Sequence, residues 1–147
     1  MNASIRAVFK TGDYYGMDVL GIYHGYEGLM SGAIKALSHN DVEDIVHKGG
    51  TILRTARSEV FRTEAGRKKA LAIINAFQID GIVVIGGDGS FSGAKTLADE
   101  GVPVMCLPGT IDNDLGYTDY TIGFDTASNS VVGEIYRVRD TMRSHDR

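Results

Sequence analysis

The sequence predicts an α/β fold built around parallel strands. Residues 82–85 and 104–107 are apolar runs too short for helices, which is typical of buried parallel strands. A helical pattern at residues 92–98 separates them, so strand, helix and strand form a βαβ unit. Each run ends in glycine and then a carboxylate, and we therefore expect Asp88 and Asp112 to meet at one edge of the sheet.

The N-terminal part is predicted to begin with a helix over residues 1–15, where apolar side chains recur at helical spacing. Asn2 or Ser4 is a candidate N-cap, and Gly16 ends the helix. An apolar, β-prone run at residues 19–23 predicts the first strand.

The next forty residues are predicted to hold little regular structure. Residues 24–28 have a loop signature, and Asp41 is the expected N-cap of a short helix that closes at two glycines. A short strand is expected at residues 51–53. Residues 54–62 carry too many charges for a buried strand and are interpreted as an exposed loop rich in guanidinium groups.

Two longer helices complete the predicted set. Thr63 is expected to cap a helix whose apolar residues fall on one face. A polar, β-prone segment at residues 118–124 precedes the last helix, which carries apolar side chains at i, i+4, i+7 and i+11. This spacing predicts a core-facing stripe, formed by Val131, Ile135, Val138 and Met142.

Composition narrows the possible functions. A chain of 147 residues with 43% hydrophobic and 23% charged residues can bury a core as one domain, and a net charge of -4 gives no basic footprint for nucleic acid. No apolar run approaches the roughly 18 residues of a membrane span. Cys106 is the only cysteine, which predicts an inert thiol, no disulfide within the chain and a cytoplasmic location.

The glycine-rich segment at residues 86–90 is a candidate phosphate loop. It opens a helix directly after a strand, so backbone N–H groups can approach a phosphate and the helix N-terminus favours its charge. Asp88 would repel a phosphate unless a cation lay between them, and Mg²⁺ is the simplest such cation. The alternative is a tight turn in which Asp88 is only an N-cap.

The segment at residues 110–114 is a candidate site for proton and metal chemistry. Asp112 could accept a proton from an attacking hydroxyl, and Asp114 could help to hold a cation. Burial of such charges without a partner would be costly, which favours a ligand. As an alternative, Asn113 and Asp114 are good turn residues.

Arginine and histidine residues give weaker signals. Arg57 and Arg62 offer planar donors suited to phosphate, although surface ion pairs with Glu59 or Glu64 are the simpler explanation. The histidines share no metal-ligand spacing with one another or with Cys106.

Taken together, the motifs GGDGS, PGTIDND and TIGFDTA resemble the 6-phosphofructokinases of glycolysis, specifically the bacterial ATP-dependent type. The resemblance runs over essentially the whole chain and also includes GGT at residues 49–51. It implies a three-layer α/β/α fold with a mostly parallel sheet, incomplete in this chain, of which residues 1–147 are a partial ATP-binding domain.

The resemblance also implies a reaction, the transfer of the γ-phosphate of Mg-ATP to the 1-hydroxyl of fructose 6-phosphate. Asp112 looks like the general base, Thr110 like a contact to the phosphoryl group in flight, and Arg57 like an arginine that touches it. Asp88 and Asp114 resemble the Mg²⁺-associated carboxylates. The positions that match the nucleotide site are Tyr26, Arg62, Asp88, Gly89, Ser90 and Gly93.

Further implications concern donor, assembly and regulation. Pyrophosphate-dependent relatives commonly have charged residues where this chain has Gly89 and Gly109, which favours ATP. Arg147 matches an arginine that reaches the sugar phosphate of a neighbouring subunit, in keeping with a homotetramer at full length. The positions that match an effector site for ADP or phosphoenolpyruvate are Arg6, Lys10, Asp44 and Arg139.

Two departures qualify these expectations. Lys10 stands where the family commonly has arginine and His39 replaces another basic residue, which predicts weaker or pH-dependent effector binding. Met1 aligns after the family's first strand and its phosphate loop, and Arg147 lies near the middle of the family's length. We therefore expect a fragment with about half an active site and little catalysis alone.

Two alternatives remain. NAD and lipid kinases share GGDG after a strand but lack the TIDND motif. A non-catalytic module, which binds nucleotide or associates with full-length subunits, is the alternative from a different class.

Overall fold

The computed structural model describes residues 1–144, so Arg147 and its expected sugar-phosphate contact lie outside the described residues. Helices alternate with two separate two-stranded sheets, and a 3₁₀ turn at Val60–Arg62 precedes the fourth helix. The elements in chain order are α1 (Asn2–Tyr14), β1 (Leu20–Ile22), α2 (Gly25–Ser31), β2 (Ile34–Ala36), α3 (His39–Val42), α4 (Glu64–Ala76), β3 (Ile82–Gly86), α5 (Asp88–Asp99), β4 (Val104–Pro108) and α6 (Phe124–Arg143).

The βαβ unit predicted from the sequence is confirmed. Strands β3 and β4 pair in parallel, in a register that runs from Ile82 opposite Val104 to Gly86 opposite Pro108. Helix α5 connects them and begins at Asp88, four residues earlier than the sequence pattern indicates. The two strands therefore end side by side, at the edge where the glycine-rich and TIDND segments begin.

The first half of the chain contains two elements that the sequence pattern does not reveal. Strand β1 pairs antiparallel with β2, and the predicted loop at residues 24–28 is instead the start of α2. A Cβ atom at Gly28 would lie 1.5 Å from the carbonyl oxygen of Tyr23. Glycine at this position permits close packing of helix against strand, so its presence does not indicate a loop.

Helix α3 begins earlier and ends earlier than predicted. Its N-cap is Ser38, while Asp41 is the third helical residue of a capping box, and its carboxylate accepts from the Ser38 backbone N–H at 2.8 Å and hydroxyl at 2.6 Å. These hydrogen bonds hold the pKa of Asp41 below its ordinary value, with the Ser38 hydroxyl as the largest cause and Lys35 as a smaller one. The prediction of Asp41 as N-cap was wrong by one helical turn.

Residues 51–53 form a turn and not the predicted strand. The Ile52 N–H donates to Oδ1 of Asn2 at 2.8 Å, and the Leu53 N–H donates to the hydroxyl of Thr51 at 3.2 Å. Side chains therefore take the donors that a strand ladder would need. Asn2 also donates to the carbonyl of Lys48 at 3.0 Å, so it anchors this segment and is not the N-cap of α1. Ser4, the other candidate cap, is buried and likewise makes no cap hydrogen bond.

Two apolar clusters form the core. One lies among α2, α4 and α5, and the other joins α1 to the segment around α3. Thr63 caps α4 as predicted and accepts from the Gly66 N–H at 3.1 Å. The buried members of the two clusters are Leu29, Phe61, Ala70, Ile74, Leu97 and Val102 in the first, and Ile5, Phe9, Val42 and Ile45 in the second.

Helix α6 departs from its predicted environment. Within the described residues none of its side chains is buried, and its apolar stripe faces outward with 57–72% of each residue exposed. The stripe spacing does identify an amphipathic helix, but the prediction that the stripe packs into the core of these residues was wrong. Residues 118–123 before it form turns without a strand. In residues 1–144 no helix is both long and apolar enough to cross a membrane.

Candidate functional site

The glycine-rich loop after β3 and the TIDND loop after β4 lie against each other. The Gly109 N–H donates to the carbonyl of Gly86 at 3.0 Å, which extends the pairing of the strands by one residue. A Cβ atom at Gly87 would lie 3.4 Å from the Cβ of Thr110. The parallel register therefore brings the two segments with candidate chemistry to one edge.

The first turn of α5 faces this edge with free backbone donors. Its N-cap is Gly87, which offers no capping side chain, and the first intrahelical hydrogen bond runs from the Phe91 N–H to the Gly87 carbonyl at 3.0 Å. The N–H groups of residues 88–90 thus have no partner within the helix, and the helix dipole favours an anion there. Asp88 is the first helical residue, so it is not the N-cap of the simpler alternative.

Gly89 has the open position that a ligand would need. A Cβ atom at this residue would meet nothing within 4 Å. Packing within residues 1–144 therefore does not require glycine at residue 89, and these residues leave space beside the N-terminal turn of α5.

In the TIDND loop, Thr110 and Asp112 are in contact and Asp112 is exposed. The Asp112 N–H donates to the hydroxyl of Thr110 at 3.2 Å, and the same hydroxyl lies 3.4 Å from Oδ2 of Asp112. Thr110 is half-buried, whereas Asp112 and Asp114 are open to solvent. A carboxylate in this position is accessible to a hydroxyl substrate.

Two residues that sequence reasoning did not assign brace this loop. The side chain of Asn113 accepts from the Thr121 N–H at 2.8 Å and donates to the Asp119 carbonyl at 3.2 Å. The Thr121 hydroxyl donates to the Thr110 carbonyl at 2.7 Å, and Thr121 is only 4% exposed. These contacts join residues six to eleven apart, and no short motif spacing signals them.

The side chain of Tyr26 packs beside the N-terminal end of helix α5. Its hydroxyl donates to the carbonyl of Ser90, and its ring stacks on Phe61 with centroids 4.2 Å apart. Burial raises the pKa of Tyr26 well above its usual range, with a smaller contribution from Cys106. A Cβ atom at Gly93 would lie 2.5 Å from the Tyr26 ring, so this glycine lies in the second turn of α5 beneath the ring and not in the loop.

The two candidate arginines differ in their surroundings. Arg62 follows Phe61 in the 3₁₀ turn and forms an exposed ion pair with Glu59 at 3.5 Å, as the simpler explanation expects. Arg57 is exposed, and in the described part of the chain its guanidinium makes no hydrogen bond or ion pair. The structure does not link Arg57 to the two loops.

The residues present fit Mg²⁺ bound together with a nucleotide and do not fit an all-protein metal site. Within residues 1–144, no group of three or more histidine, cysteine or acidic residues is placed to hold a metal ion. Mg²⁺ commonly takes only one or two carboxylates and completes its shell with phosphate oxygens and water. Asp88, the first residue of α5, and Asp114, in the TIDND loop, are both exposed carboxylates.

Among the residues considered for the effector site, the structure shows a contact between Lys10 and His39. Nζ of Lys10 lies 2.8 Å from Nδ1 of His39, and Nε2 of His39 lies 3.2 Å from the Asp13 carboxylate. Asp44, with φ of 56°, follows α3 close by in sequence. Arg139 lies on the exposed α6, where it stacks on Tyr136 with its guanidinium 4.5 Å from the ring centroid.

Cys106 lies in β4 and is half-buried. Desolvation raises its pKa, which keeps the thiol protonated and poorly nucleophilic. This environment agrees with the inert thiol predicted from the sequence.

Known proteins share both the sequence and the fold. The family model described as Phosphofructokinase matches residues 1–147. An ATP-dependent 6-phosphofructokinase of Alkaliphilus metalliredigens is 59% identical and one of Clostridium novyi is 60% identical, each over the whole chain. The match covers 46% of each relative, so the chain spans about half the length of the curated relatives it matches.

Solved structures agree. A phosphofructokinase from Saccharomyces cerevisiae superposes with a TM-score of 0.88 at 36% identity, over 99% of this chain and 23% of that one. A Pichia pastoris phosphofructokinase in the T-state gives a TM-score of 0.81 at 39% identity, over 84% of this chain and 15% of that one. The fold is thus the α/β fold of those enzymes, and this chain belongs to the phosphofructokinase family.

Proposed function

We propose that this chain supplies the ATP-binding half of an enzyme that transfers the γ-phosphate of ATP to fructose 6-phosphate, giving fructose 1,6-bisphosphate and ADP. The observation that carries the proposal is the contact between the two loops, marked by the 3.0 Å hydrogen bond from Gly109 to Gly86. It supports the proposal because Gly87, the N-cap of α5, lies against Thr110, which in turn contacts Asp112; a helix N-terminus suits phosphate and an exposed carboxylate suits proton transfer. The relatives are named as ATP-dependent 6-phosphofructokinases, which supports this choice.

Asp112 is proposed as the general base. Its carboxylate accepts the proton of the sugar 1-hydroxyl as that oxygen bonds to the γ-phosphorus and the bond to the β-γ bridging oxygen breaks. Thr110 orients Asp112 through the loop contacts and contacts the phosphoryl group. A general base typically contributes roughly 10²- to 10⁴-fold, so positioning and charge stabilisation must provide most of the rate.

The α5 terminus and its neighbours are proposed to hold the nucleotide. The N–H groups of residues 88–90 bind phosphate oxygens, while Tyr26, Arg62 and Gly93 form the adjoining wall. Asp88 and Asp114 would hold Mg²⁺, which supplies positive charge to the phosphates when bound. Arg57 would need to approach the transferred phosphate from its exposed loop.

Assembly and location belong to the same proposal. Arg147 would contact the sugar phosphate of a neighbouring subunit in a homotetramer formed by the full-length protein. The single half-buried thiol of Cys106 suits a reducing, cytoplasmic compartment.

A second candidate is a non-catalytic module that binds nucleotide or joins other subunits. The exposed apolar stripe of α6 favours it, because such a surface is suited to association. In this case the 147 residues bind ADP but add no turnover.

The test is a chimaera in which these 147 residues replace the matching segment of the Alkaliphilus metalliredigens relative. We expect ATP-dependent formation of fructose 1,6-bisphosphate, and Asp112→Ser to lower kcat by at least about 10²-fold with nearly unchanged ATP affinity. Asp80→Ser is the matched control, since Asp80 is an exposed aspartate at the opposite end of β3. Nucleotide binding without turnover in the parent chimaera would favour the second candidate.

We further propose that Lys10, Arg6, Asp44 and Arg139 bind an anionic effector such as ADP or phosphoenolpyruvate, with His39 as a pH-dependent member. Lys10 can donate to Nδ1 only while that atom carries no proton, so a protonated imidazole releases Lys10 and adds a positive charge. Effector affinity of the chimaera should rise from pH 8 to pH 6 and lose this dependence in His39→Gln; equal affinity at both pH values would disprove the idea.

A further inference from the structure

We propose that Thr121 and Asn113 are positioning residues that fix the proton-accepting loop, through a brace between residues 108–113 and residues 119–122. The inference rests on the role proposed for Asp112. Neither side chain is expected to touch substrate; each acts on the backbone that carries Thr110 and Asp112.

Thr121 holds the loop at Thr110. Its hydroxyl donates to the Thr110 carbonyl at 2.7 Å, a short and therefore well-formed hydrogen bond for two oxygens. Thr110 in turn accepts from the Asp112 N–H at 3.2 Å. A displacement of the Thr110 backbone would therefore be passed directly to the carboxylate of Asp112.

Asn113 holds the loop from its other side. Its φ of 51° is left-handed, a conformation that asparagine adopts more readily than most residues. Its side chain accepts from the Thr121 N–H at 2.8 Å and donates to the Asp119 carbonyl at 3.2 Å. This local conformation sets the directions in which Asp112 and Asp114 leave the chain.

A backbone hydrogen bond closes the brace. The Ile122 N–H donates to the carbonyl of Pro108, the last residue of β4, at 2.7 Å. The strand end, the Thr110 carbonyl and the Asn113 side chain are thus all fixed to one short segment. Because Thr121 is 4% exposed, water cannot readily replace its hydroxyl.

A brace of this kind should affect turnover more than ATP binding. The helix α5 terminus and Tyr26, which are proposed to hold the nucleotide, make none of these contacts. A misplacement of about 1 Å at a reacting group can cost about 10²-fold in rate. Loss of the brace is therefore expected mainly in kcat.

The experiment compares Thr121→Val with Thr121→Ser in the chimaera. Valine keeps the shape but removes the hydroxyl, whereas serine keeps the hydroxyl. We expect Thr121→Val to lower kcat by about 10- to 100-fold with KM for ATP changed less than about threefold, and Thr121→Ser to retain kcat within about threefold. Thr118→Val is the matched control, because it removes a 2.8 Å hydrogen bond to the Tyr120 carbonyl within the same segment but none of the hydrogen bonds that join residues 119–122 to residues 108–113.

Unchanged kcat in Thr121→Val, or an equal loss in Thr121→Ser or Thr118→Val, would overturn the inference. Hydrogen exchange provides a second measurement that does not depend on turnover. The amides of Asp112, Thr121 and Ile122, which donate hydrogen bonds in this region, should exchange at least about tenfold faster in Thr121→Val than in Thr121→Ser, since one buried hydrogen bond of the brace is lost. An inactive parent chimaera would refute the proposed function, while equal exchange in the two variants would refute the brace itself.

Discussion

Gly109 and Gly89 are the two glycines that the family resemblance connects with ATP as donor, yet their surroundings differ. A Cβ atom at Gly109 would lie 2.7 Å from Cγ2 of Ile85, whereas one at Gly89 would meet nothing within 4 Å. Packing between the ends of β3 and β4 therefore requires glycine at residue 109. At residue 89, no packing within residues 1–144 requires it.

We predict that Gly109→Ala destabilises the fold by about 1–3 kcal/mol, because the methyl group overpacks against a branched side chain beside the strand pair. Gly116→Ala is the control, since a Cβ atom there also meets nothing within 4 Å. Urea unfolding followed by circular dichroism measures both changes. Equal urea midpoints for the two variants would show that the Ile85 side chain moves aside without lowering the free energy of unfolding.

At the scale of the element, the α3 capping box predicts a stability change with pH. Hydrogen bonds from Ser38 hold the pKa of Asp41 below its ordinary value of 3.8. Because the folded pKa is lowered, the stabilisation is present above pH 3.8 and is lost as the pH falls through the lowered value.

We therefore expect Asp41→Asn to lower Tm at pH 6, with a difference from the parent chain that shrinks below about pH 4. Thermal unfolding at fixed ionic strength from pH 3 to pH 7 measures this difference. Glu43→Gln is the matched control at the exposed C-cap of the same helix. A difference that does not vary with pH would mean that the Asp41 charge does not stabilise the helix.

Periodicity and caps predict the long elements of this chain well. The β3-α5-β4 unit and α4 are found because strong apolar patterns and a Thr63 cap mark them within a few residues. Strand β2 has only three residues, too few for a pattern. Residues 51–53 have strand propensity, but Asn2, fifty residues away, takes the Ile52 N–H instead.

The residues of the candidate site are likewise only partly predictable from the sequence. Strand ends followed by glycine and carboxylate predict where Asp88 and Asp112 lie, because parallel strands end at a common edge. The sequence does not predict that Thr121 and Asn113 hold the loop, because this role depends on hydrogen bonds between a loop and a later turn. Spacing along the sequence does not encode such contacts.

At the scale of the whole molecule, α6 is stabilised less by side-chain packing than the other long helices of the described chain. Helices α1, α4 and α5 each contribute buried side chains to a core cluster, while α6 contributes none. Its apolar stripe lies on an open face that is lined by residues of α6 alone. Most helical stability in proteins comes from such packing and not from propensity, so a helix of 20 residues without it is marginal in water.

We predict that in the 147-residue chain the amides of α6 exchange with solvent at least about 10²-fold faster than those of β3 and α4 at low protein concentration. Hydrogen exchange with mass spectrometry measures this ratio, and α4 is the internal control because it is amphipathic but packed. In the chimaera, the stripe has the remainder of the relative's chain to pack against, and exchange of α6 should slow toward that of α4. Protection of α6 in the 147-residue chain, constant over a tenfold dilution, would contradict the prediction; protection that disappears on dilution would instead indicate that copies of the chain cover the stripe.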